Sequence, residues 1–567
     1  MNVMEQLKAG FLILDGAMGT MLQKRGLAAG ALPELLNLHD PGVVTQIHRE
    51  YAEAGADVIT ANTFGAHELK LQDHSVEEVV GAGIKCARDA GARFTALDVG
   101  PTGRLVGPLG DLSFERAYEV FRRQMTAGEK SGADLIIIET ISDPYEAKAA
   151  ILAAKENTKL PVFCTMTFEE SSRTFLGCDA LTATVILQGL GVDALGVNCS
   201  LGPDKIAPIV KTMLKYSHVP VILQANAGLP VLRGGEAFYE MPPEVYAGHA
   251  AQMARLGARV IGGCCGTTPE HIREIRRQLE GMKPVVTNPA RVGMCTSGSR
   301  TVIFDGAAIA VGERINPTGK DELEAALRLK DMDYLADMAI EQVDAGAQIL
   351  DVNVGLPGLD EPAAMAWAIR EIQQAVAVPL QIDSANPAAI EAGLRCYNGK
   401  AVINSVNGKA ESMAAIFPLA KKYGAMVIAL TLDECGIPPD ASGRLTIARR
   451  IRDTALSYGF PGEDLLIDCL ALTAAAQQEQ VPQTLEAVRL VKSELGLKTV
   501  LGVSNVSFGL PGRKIINATF LAAAFGAGLD CAIINPLCAG CREVLDVWRV
   551  LSGEDKDAQD FIDKYAR

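Results

Sequence analysis

A bilayer-crossing helix needs about 18 consecutive apolar residues, and no such run occurs in the 567 residues of the chain. No membrane span is expected. Nor is a secretory leader expected: the apolar stretch Phe11–Leu14 is too short for a signal-peptide core and runs straight into Asp15-Gly16. There is no basic tract, and 68 acidic against 53 basic side chains leave a net charge of −15. Such a surface repels a phosphate backbone, so no nucleic-acid partner is expected. These absences together describe a cytoplasmic protein. Tryptophan is scarce, at two residues, but 49% hydrophobic and 21% charged residues are ordinary for a globular chain and exclude disorder and fibres. Cysteine is plentiful, yet thirteen is an odd number in a chain long enough to bury its own core. A disulfide framework is therefore not expected, and most of these residues read as small buried hydrophobes.

What is present is a rhythm. Short aliphatic runs of the kind that form buried parallel strands alternate with amphipathic segments. In the first half they are Phe11–Leu14, Val58–Thr60, Phe94–Leu97, Leu135–Ile138, Val162–Thr165, Ala194–Val197, Val221–Leu223 and Arg259–Ile261. The second half repeats the pattern with Ala308–Val311, Ile349–Val352, Leu380–Ile382, Ala401–Ile403, Met426–Leu430, Leu465–Ile467, Val500–Val503 and Ala532–Ile534. Eight βα repeats in about 250 residues make a (β/α)8 barrel, so the fold class is α/β with two consecutive barrels. Residues 1–283 form the first, 301–567 the second, and the aperiodic Pro-, Gly- and Ser-containing stretch 284–300 reads as a linker. A doubly wound open sheet is the competing fold. It is weakened because G-x-G-x-x-G follows none of the strands.

In such barrels the residues just past each strand face the catalytic mouth. Here these positions are polar throughout, including Asp15, Asn62, Asp98, Glu139, Asn198-Cys199, Asn226 and Cys264-Cys265 in the first half. In the second they include Glu313 with Asn316, Asp351 with Asn353, Asp383, Asn404, Asp468, Ser504-Asn505 and Asn535. Helix capping accounts for some of these residues, but not for polarity at every strand end.

At the first mouth Cys199, Cys264 and Cys265 follow the sixth and eighth strands and become neighbours around the rim. Three thiolates suit Zn²⁺, and three protein ligands leave a position for substrate, whereas a structural zinc site is closed by four. A thiol substrate would be deprotonated there yet remain nucleophilic. Plain burial or a redox pair at Cys264-Cys265 is the alternative. Asp15 and Glu139 fit a substrate with an ammonium group. The segments L-D-G-A-M-G-T, T-A-N-T-F-G-A, I-E-T-I-S-D, G-V-N-C-S and I-G-G-C-C-G-T-T-P resemble the homocysteine S-methyltransferase family. That resemblance implies a zinc barrel in which the three matching Cys hold the metal and homocysteine thiolate completes the tetrahedron. It further implies that Asp15 and Glu139 contact the homocysteine amino group, and that Asn226 occupies the vacant metal position without substrate.

The second mouth reads as carboxylates and amides with no clustered Cys or His. Asp383, Asn404 and Asp468 would satisfy a neutral heterocycle rich in donors and acceptors, such as an aminopyrimidinone edge; a lone divalent metal is the alternative. G-E-R-I-N-P-T-G, L-D-V-N-V-G, Q-I-D-S, I-N-S-V-N-G and G-V-S-N-V-S-F-G-L-P-G-R resemble the pterin-binding family, in its methyltetrahydrofolate methyltransferase branch. By that resemblance Asp383, Asn404 and Asp468 grip the pterin and Asn505 reaches the methyl-bearing nitrogen, with Glu313, Asn316 and Arg513 completing the folate site; Asn505 and Asp468 are the catalytic candidates. The order of the two barrels resembles the start of the cobalamin-dependent methionine synthase family. This implies methyl transfer from 5-methyltetrahydrofolate to cob(I)alamin, then from methylcobalamin to zinc-bound homocysteine. That family's D-x-H-x-x-G cobalamin motif is missing, since no His has Asp two positions before it. A cobalamin-binding domain or protein outside these residues is therefore the expected partner. A homocysteine methyltransferase drawing on another donor, and a non-enzymatic folate- and zinc-binding module, are the remaining readings.

Overall fold

The computed structural model describes residues 1–28, 30–233 and 236–566. Contacts divide the chain into two compact units, Met1–Ala290 and a second that begins at Arg291.

In the first unit eight parallel strands run Leu12–Ile13, Val58–Thr60, Phe94–Val99, Leu135–Ile141, Val162–Met166, Ala194–Asn198, Val221–Ala225 and Val260–Gly263. Each pairs with its neighbour in sequence, and the first pairs with the eighth at Leu12↔Val260. A single bridge, Leu14↔Val58, joins the first strand to the second and completes the ring. The second unit is a closed barrel of strands Ile309–Ile315, Ile349–Asn353, Leu380–Asp383, Val402–Asn407, Met426–Leu430, Leu465–Asp468, Lys498–Gly502 and Cys531–Ile534. All sixteen anticipated strands are present, and an open sheet is excluded. Leu135 through Ile138 are fully buried; each such aliphatic side chain stabilises the ring by about 1.5–3 kcal/mol.

The intervening helices follow from local chemistry. Phe114–Lys130 starts where the Ser113 hydroxyl accepts the Arg116 N–H at 3.2 Å, and it buries Ala117, Val120, Phe121, Gln124 and Met125 along one stripe. The floors of the two barrels are closed differently. In the first, Val3 and Leu7 of the short helix Val3–Ala9 pack among Leu12, Val58, Phe94 and Val260 at the strand starts. In the second, an antiparallel hairpin of Met294–Thr296 and Thr301–Ile303 places Cys295, Val302 and Phe304 among Ile309, Ile349 and Met426. The stretch 284–300 is thus only partly a connector: from Met294 it belongs to this hairpin. Its three-residue strands are too short to show periodicity in sequence.

Candidate active sites at the two barrel mouths

The first site is assembled at the C-terminal strand ends. The Cys199 N–H donates to Gln224 O (3.0 Å) and the Cys264 N–H to Ala225 O (2.8 Å), while Cys265 O accepts the Ala227 N–H (2.9 Å). These bonds turn three thiols to one point: their Sγ atoms lie within 4.8 Å of one another, with Cys199 and Cys265 at 4.0 Å. Ligands about 2.3 Å from a tetrahedral zinc stand about 3.8 Å apart, so the set needs little adjustment. Glycine is required beside it. A Cβ on Gly263 would stand 2.3 Å from Thr267 Oγ1, and that hydroxyl donates to Cys264 O at 2.7 Å. Contacts with Cys199 and Cys265, then burial, hold the Cys264 thiol well above its ordinary range. Three such groups ionise together only around a cation, and a soft divalent ion fits the donor set.

A cavity of about 260 Å³ opens over the thiols and is lined by Asp15, Glu34, Asp98 and Glu139. Asp15 accepts from Thr60 Oγ1 at 2.6 Å and from the Thr60 N–H at 2.9 Å, and burial pushes it up to about 7. Glu139 accepts a long bond from Gln224 Nε2 (3.4 Å) and is pushed up to about 8 by burial, then by Cys199 and Asp15. Asp98 is raised by burial and by Glu139, Asp15 and Glu34. Glu34 accepts the Gly65 N–H at 2.6 Å, but its Oε2 is buried without a partner, as are Asp98 Oδ1 and Asn226 Oδ1. Asn226 is otherwise held by its N–H, which donates to Leu201 O at 3.0 Å. No Lys or Arg is among the described residues that line the cavity. Sequence reasoning missed Glu34, which lies in the turn Pro33–Leu35 and not at a strand end. It also missed Tyr239, which packs on Gly266 and donates its hydroxyl to the Cys265 thiol; no sequence signal marks either residue.

At the second mouth Asn353, Asp383 and Asn404 are direct register partners across the second, third and fourth strands. Two residue pairs deeper, Asp351 aligns with Gln381. Asn353 Nδ2 donates to Asp383 Oδ2 (3.0 Å), while Asp351 Oδ1 accepts from Gln381 Nε2 (2.6 Å) and Asn404 Nδ2 (3.4 Å). Burial pushes Asp383 up to about 6 and Asp468 up to about 7. Asp468 Oδ1 accepts the Leu470 N–H at 2.7 Å. Glu313 accepts from Ser504 Oγ at 2.6 Å and is raised by burial.

Asn505 lies exposed in the turn Val503–Ser507. Arg513 braces that turn, donating to Ser504 O and Ser507 Oγ at 3.0 Å each. Asn316 shapes its own loop by accepting the Thr318 N–H at 3.1 Å. Asp351 and Asn353 were visible as mouth positions but carried no assigned role, and Gln381, quoted only within the segment Q-I-D-S, carried none either because it sits inside a strand. The expectation of no clustered Cys in this half fails at Cys538 and Cys541, three residues apart at a helix start. Within mostly apolar surroundings they resembled ordinary buried cysteines.

Each barrel matches a known family. Residues 12–279 match the family described as Homocysteine S-methyltransferase and residues 312–535 the family described as Pterin binding enzyme. Methionine synthase of Mycobacterium tuberculosis is 32% identical over 573 residues, which cover 94% of this chain and 48% of that protein. The Mycobacterium leprae methionine synthase is 31% identical over 611 residues, covering 99% and 50%. Among solved structures, the metallated homocysteine methyltransferase of Escherichia coli is 24% identical and covers 49% of this chain and 99% of that one, with a TM-score of 0.42. The chain spans about half the length of the curated relatives it matches.

Proposed function

Since the chain joins a domain of the homocysteine S-methyltransferase family to a domain of the pterin-binding enzyme family, we propose that it carries the two methyl-transfer sites of a methionine synthase. Methyl would leave 5-methyltetrahydrofolate at the second mouth, pass to cob(I)alamin on a domain or protein outside these residues, and reach homocysteine at the first. The observation that carries this reading is the convergence of Cys199, Cys264 and Cys265 beneath a cavity lined by carboxylates.

Bound by these thiolates, Zn²⁺ would supply the charge that holds the homocysteine sulfur deprotonated near neutral pH. Asp15 and Glu139 would receive the substrate ammonium. Burial raises their proton affinity, and a bound ammonium would lower it again. In the second barrel, the row Asn353, Asp383, Asn404 offers alternating donors and acceptors suited to a pterin edge, and Asp468 adds a further acceptor. The methyl-bearing nitrogen is a poor leaving group until hydrogen bonding or protonation draws electron density from it. Asn505 would provide that hydrogen bond, since its side chain is free at the surface of the turn.

The reading is tested on the purified chain with added corrinoid. Metal analysis should return one Zn²⁺ per chain. Homocysteine binding should release a proton, measured calorimetrically in buffers of different ionisation enthalpy. Methionine should form from 5-methyltetrahydrofolate and homocysteine only when cobalamin is present. Methionine produced without any corrinoid would overturn the two-step route in favour of direct transfer.

A further inference from the structure

The last strand of the second barrel, Cys531–Ile534, leads through Asn535 directly into the helix Ala539–Ser552. Its first turn carries Cys538 and Cys541 in the sequence Cys-Ala-Gly-Cys. The backbone fixes this turn tightly. Asn535 Oδ1 accepts the Leu537 N–H (3.0 Å), Asn535 O accepts the Cys538 N–H (3.0 Å), and Cys538 O accepts the N–H of Cys541 (3.1 Å). Cys538 stands at the N-cap, where its side chain makes no capping hydrogen bond. Residues three apart in a helical first turn lie about 5–6 Å apart at Cα, inside the ~4.4–6.8 Å that a disulfide spans. The two thiols already touch as a hydrogen-bonded pair, and Cys541 lies close enough to feel the charge of Glu313. Glu313 in turn accepts from Ser504 Oγ at 2.6 Å. The pair therefore adjoins the second mouth, and the methyl-transfer chemistry gives it no task.

We infer that Cys538 and Cys541 form a reversible dithiol–disulfide pair whose oxidation weakens 5-methyltetrahydrofolate binding at the second mouth; the effect on binding rests on the folate reading above. The two positions differ in the way such a pair requires. Cys538 is the more exposed, at 8% against 2%, and it stands at the N-cap of the helix. Burial, then Cys538 and Glu313, push the Cys541 thiol up to about 12. The oxidant is a small-molecule disulfide such as glutathione disulfide. The Cys538 thiolate attacks one of its sulfurs, forming a mixed disulfide and expelling one thiol. Cys541 then gives up its proton and attacks Cys538 Sγ, closing the protein disulfide and expelling the second thiol. Two protein thiols are oxidised and one small disulfide is reduced to two thiols. Closing the bond reshapes the start of the helix that directly follows the last strand, at the end of the barrel where the second mouth lies.

The experiment uses the zinc-loaded full chain equilibrated with glutathione and glutathione disulfide, with remaining thiols alkylated and the peptide spanning 538–541 weighed. Under excess glutathione disulfide that peptide should lose two hydrogens and take up no alkyl group. The Kd for 5-methyltetrahydrofolate should rise roughly tenfold and recover on adding dithiothreitol. Cys538→Ser should abolish both changes, and Cys541→Ser should stop at a glutathione adduct on Cys538. Cys541→Ala, checked by its thermal transition, guards against a folding defect in the serine variant. Two alkylated thiols under excess oxidant would overturn the inference, and so would a disulfide that leaves Kd unchanged. If neither redox form binds 5-methyltetrahydrofolate, it is the folate reading that fails, and the mass measurement still decides the disulfide.

Discussion

The two barrels share a strand pattern but treat charge at their mouths in opposite ways. The first gathers three thiols and four carboxylates in and around one cavity, and leaves Glu34 Oε2 and Asp98 Oδ1 buried without partners. The second pairs its acids with neutral groups: Asp383 with Asn353, Asp351 with Gln381 and Asn404, Glu313 with Ser504. Uncompensated buried charge is costly, so the first mouth suits cationic partners, as the proposed metal ion and substrate ammonium would be. The second mouth is already nearly satisfied, which suits a neutral ligand that exchanges hydrogen bonds one for one. One architecture thus yields two chemistries through the residues that follow the strands.

The largest expected effect breaks the comparison at the metal. Cys264→Ala should remove Zn²⁺ from the chain and abolish homocysteine methylation, while methyl transfer from 5-methyltetrahydrofolate to free cob(I)alamin continues unchanged. Loss of both half-reactions would mean that the mouths are not chemically separate. Full zinc occupancy in the variant would remove the thiol cluster from the argument altogether.

Next in size is Asp383→Ala. A buried donor or acceptor left unpaired costs about 1–3 kcal/mol, or roughly five- to 150-fold in the Kd for 5-methyltetrahydrofolate. Homocysteine affinity should not change, and titration calorimetry of the two ligands on one preparation checks both statements.

A smaller effect should come from pH. Burial raises Asp383 to about 6 and Asp468 to about 7, above the ~3.9 of an unfolded Asp. The folded, ligand-free barrel therefore holds these protons more tightly than the unfolded chain. Its stability from this source is fully present below about pH 4 and is lost as pH rises through 6 to 7. Ligand binding should follow the opposite trend, because only the carboxylates accept two hydrogen bonds from a pterin edge. The Kd for 5-methyltetrahydrofolate should fall between pH 5.5 and 8, and Asp468→Asn should flatten the upper part of that change. A Kd that rises with pH would show that the ligand needs the protonated acids.

The contrast between the mouths also explains what the sequence could reveal. Strands such as Leu135–Ile141 and Met426–Leu430 were legible because a strand buried on both faces is a short aliphatic run. Met426–Leu430 has its expected bounds, but several ends were placed early: by one residue at Asn198, Asp383 and Asp468, which continue the strand geometry while breaking its hydrophobicity, by three at Ile141 and by four at Ile315 and Asn407. The thiol cluster and the row of Asp383 and Asn404 were legible because barrel chemistry sits at strand ends. Glu34 and Tyr239 were not, because they reach the first site from loops whose path only the fold determines. The helix Val3–Ala9 and the hairpin at Met294–Thr296 were hidden by their length, each too short for its pattern to stand out.

The smallest expected effect distinguishes binding from catalysis within the second mouth. Asn505 is exposed in a turn that is fixed without its side chain: Arg513 ties Ser504 O and Ser507 Oγ, and Asn505 O accepts the Phe508 N–H at 3.2 Å. Asn505→Ala should therefore leave the turn and the ground-state affinity for 5-methyltetrahydrofolate nearly intact. A hydrogen bond from this side chain to the methyl-bearing nitrogen would strengthen as that nitrogen loses its methyl cation, so its loss should fall on the rate. A reduction of about tenfold in the transfer rate to cob(I)alamin, with Kd changed by less than about twofold, is the expected outcome. Asn505→Ser, which keeps a short donor, should recover part of the rate. Equal losses in rate and affinity would place Asn505 among the groups that merely hold the pterin, and the second mouth would then contribute positioning alone.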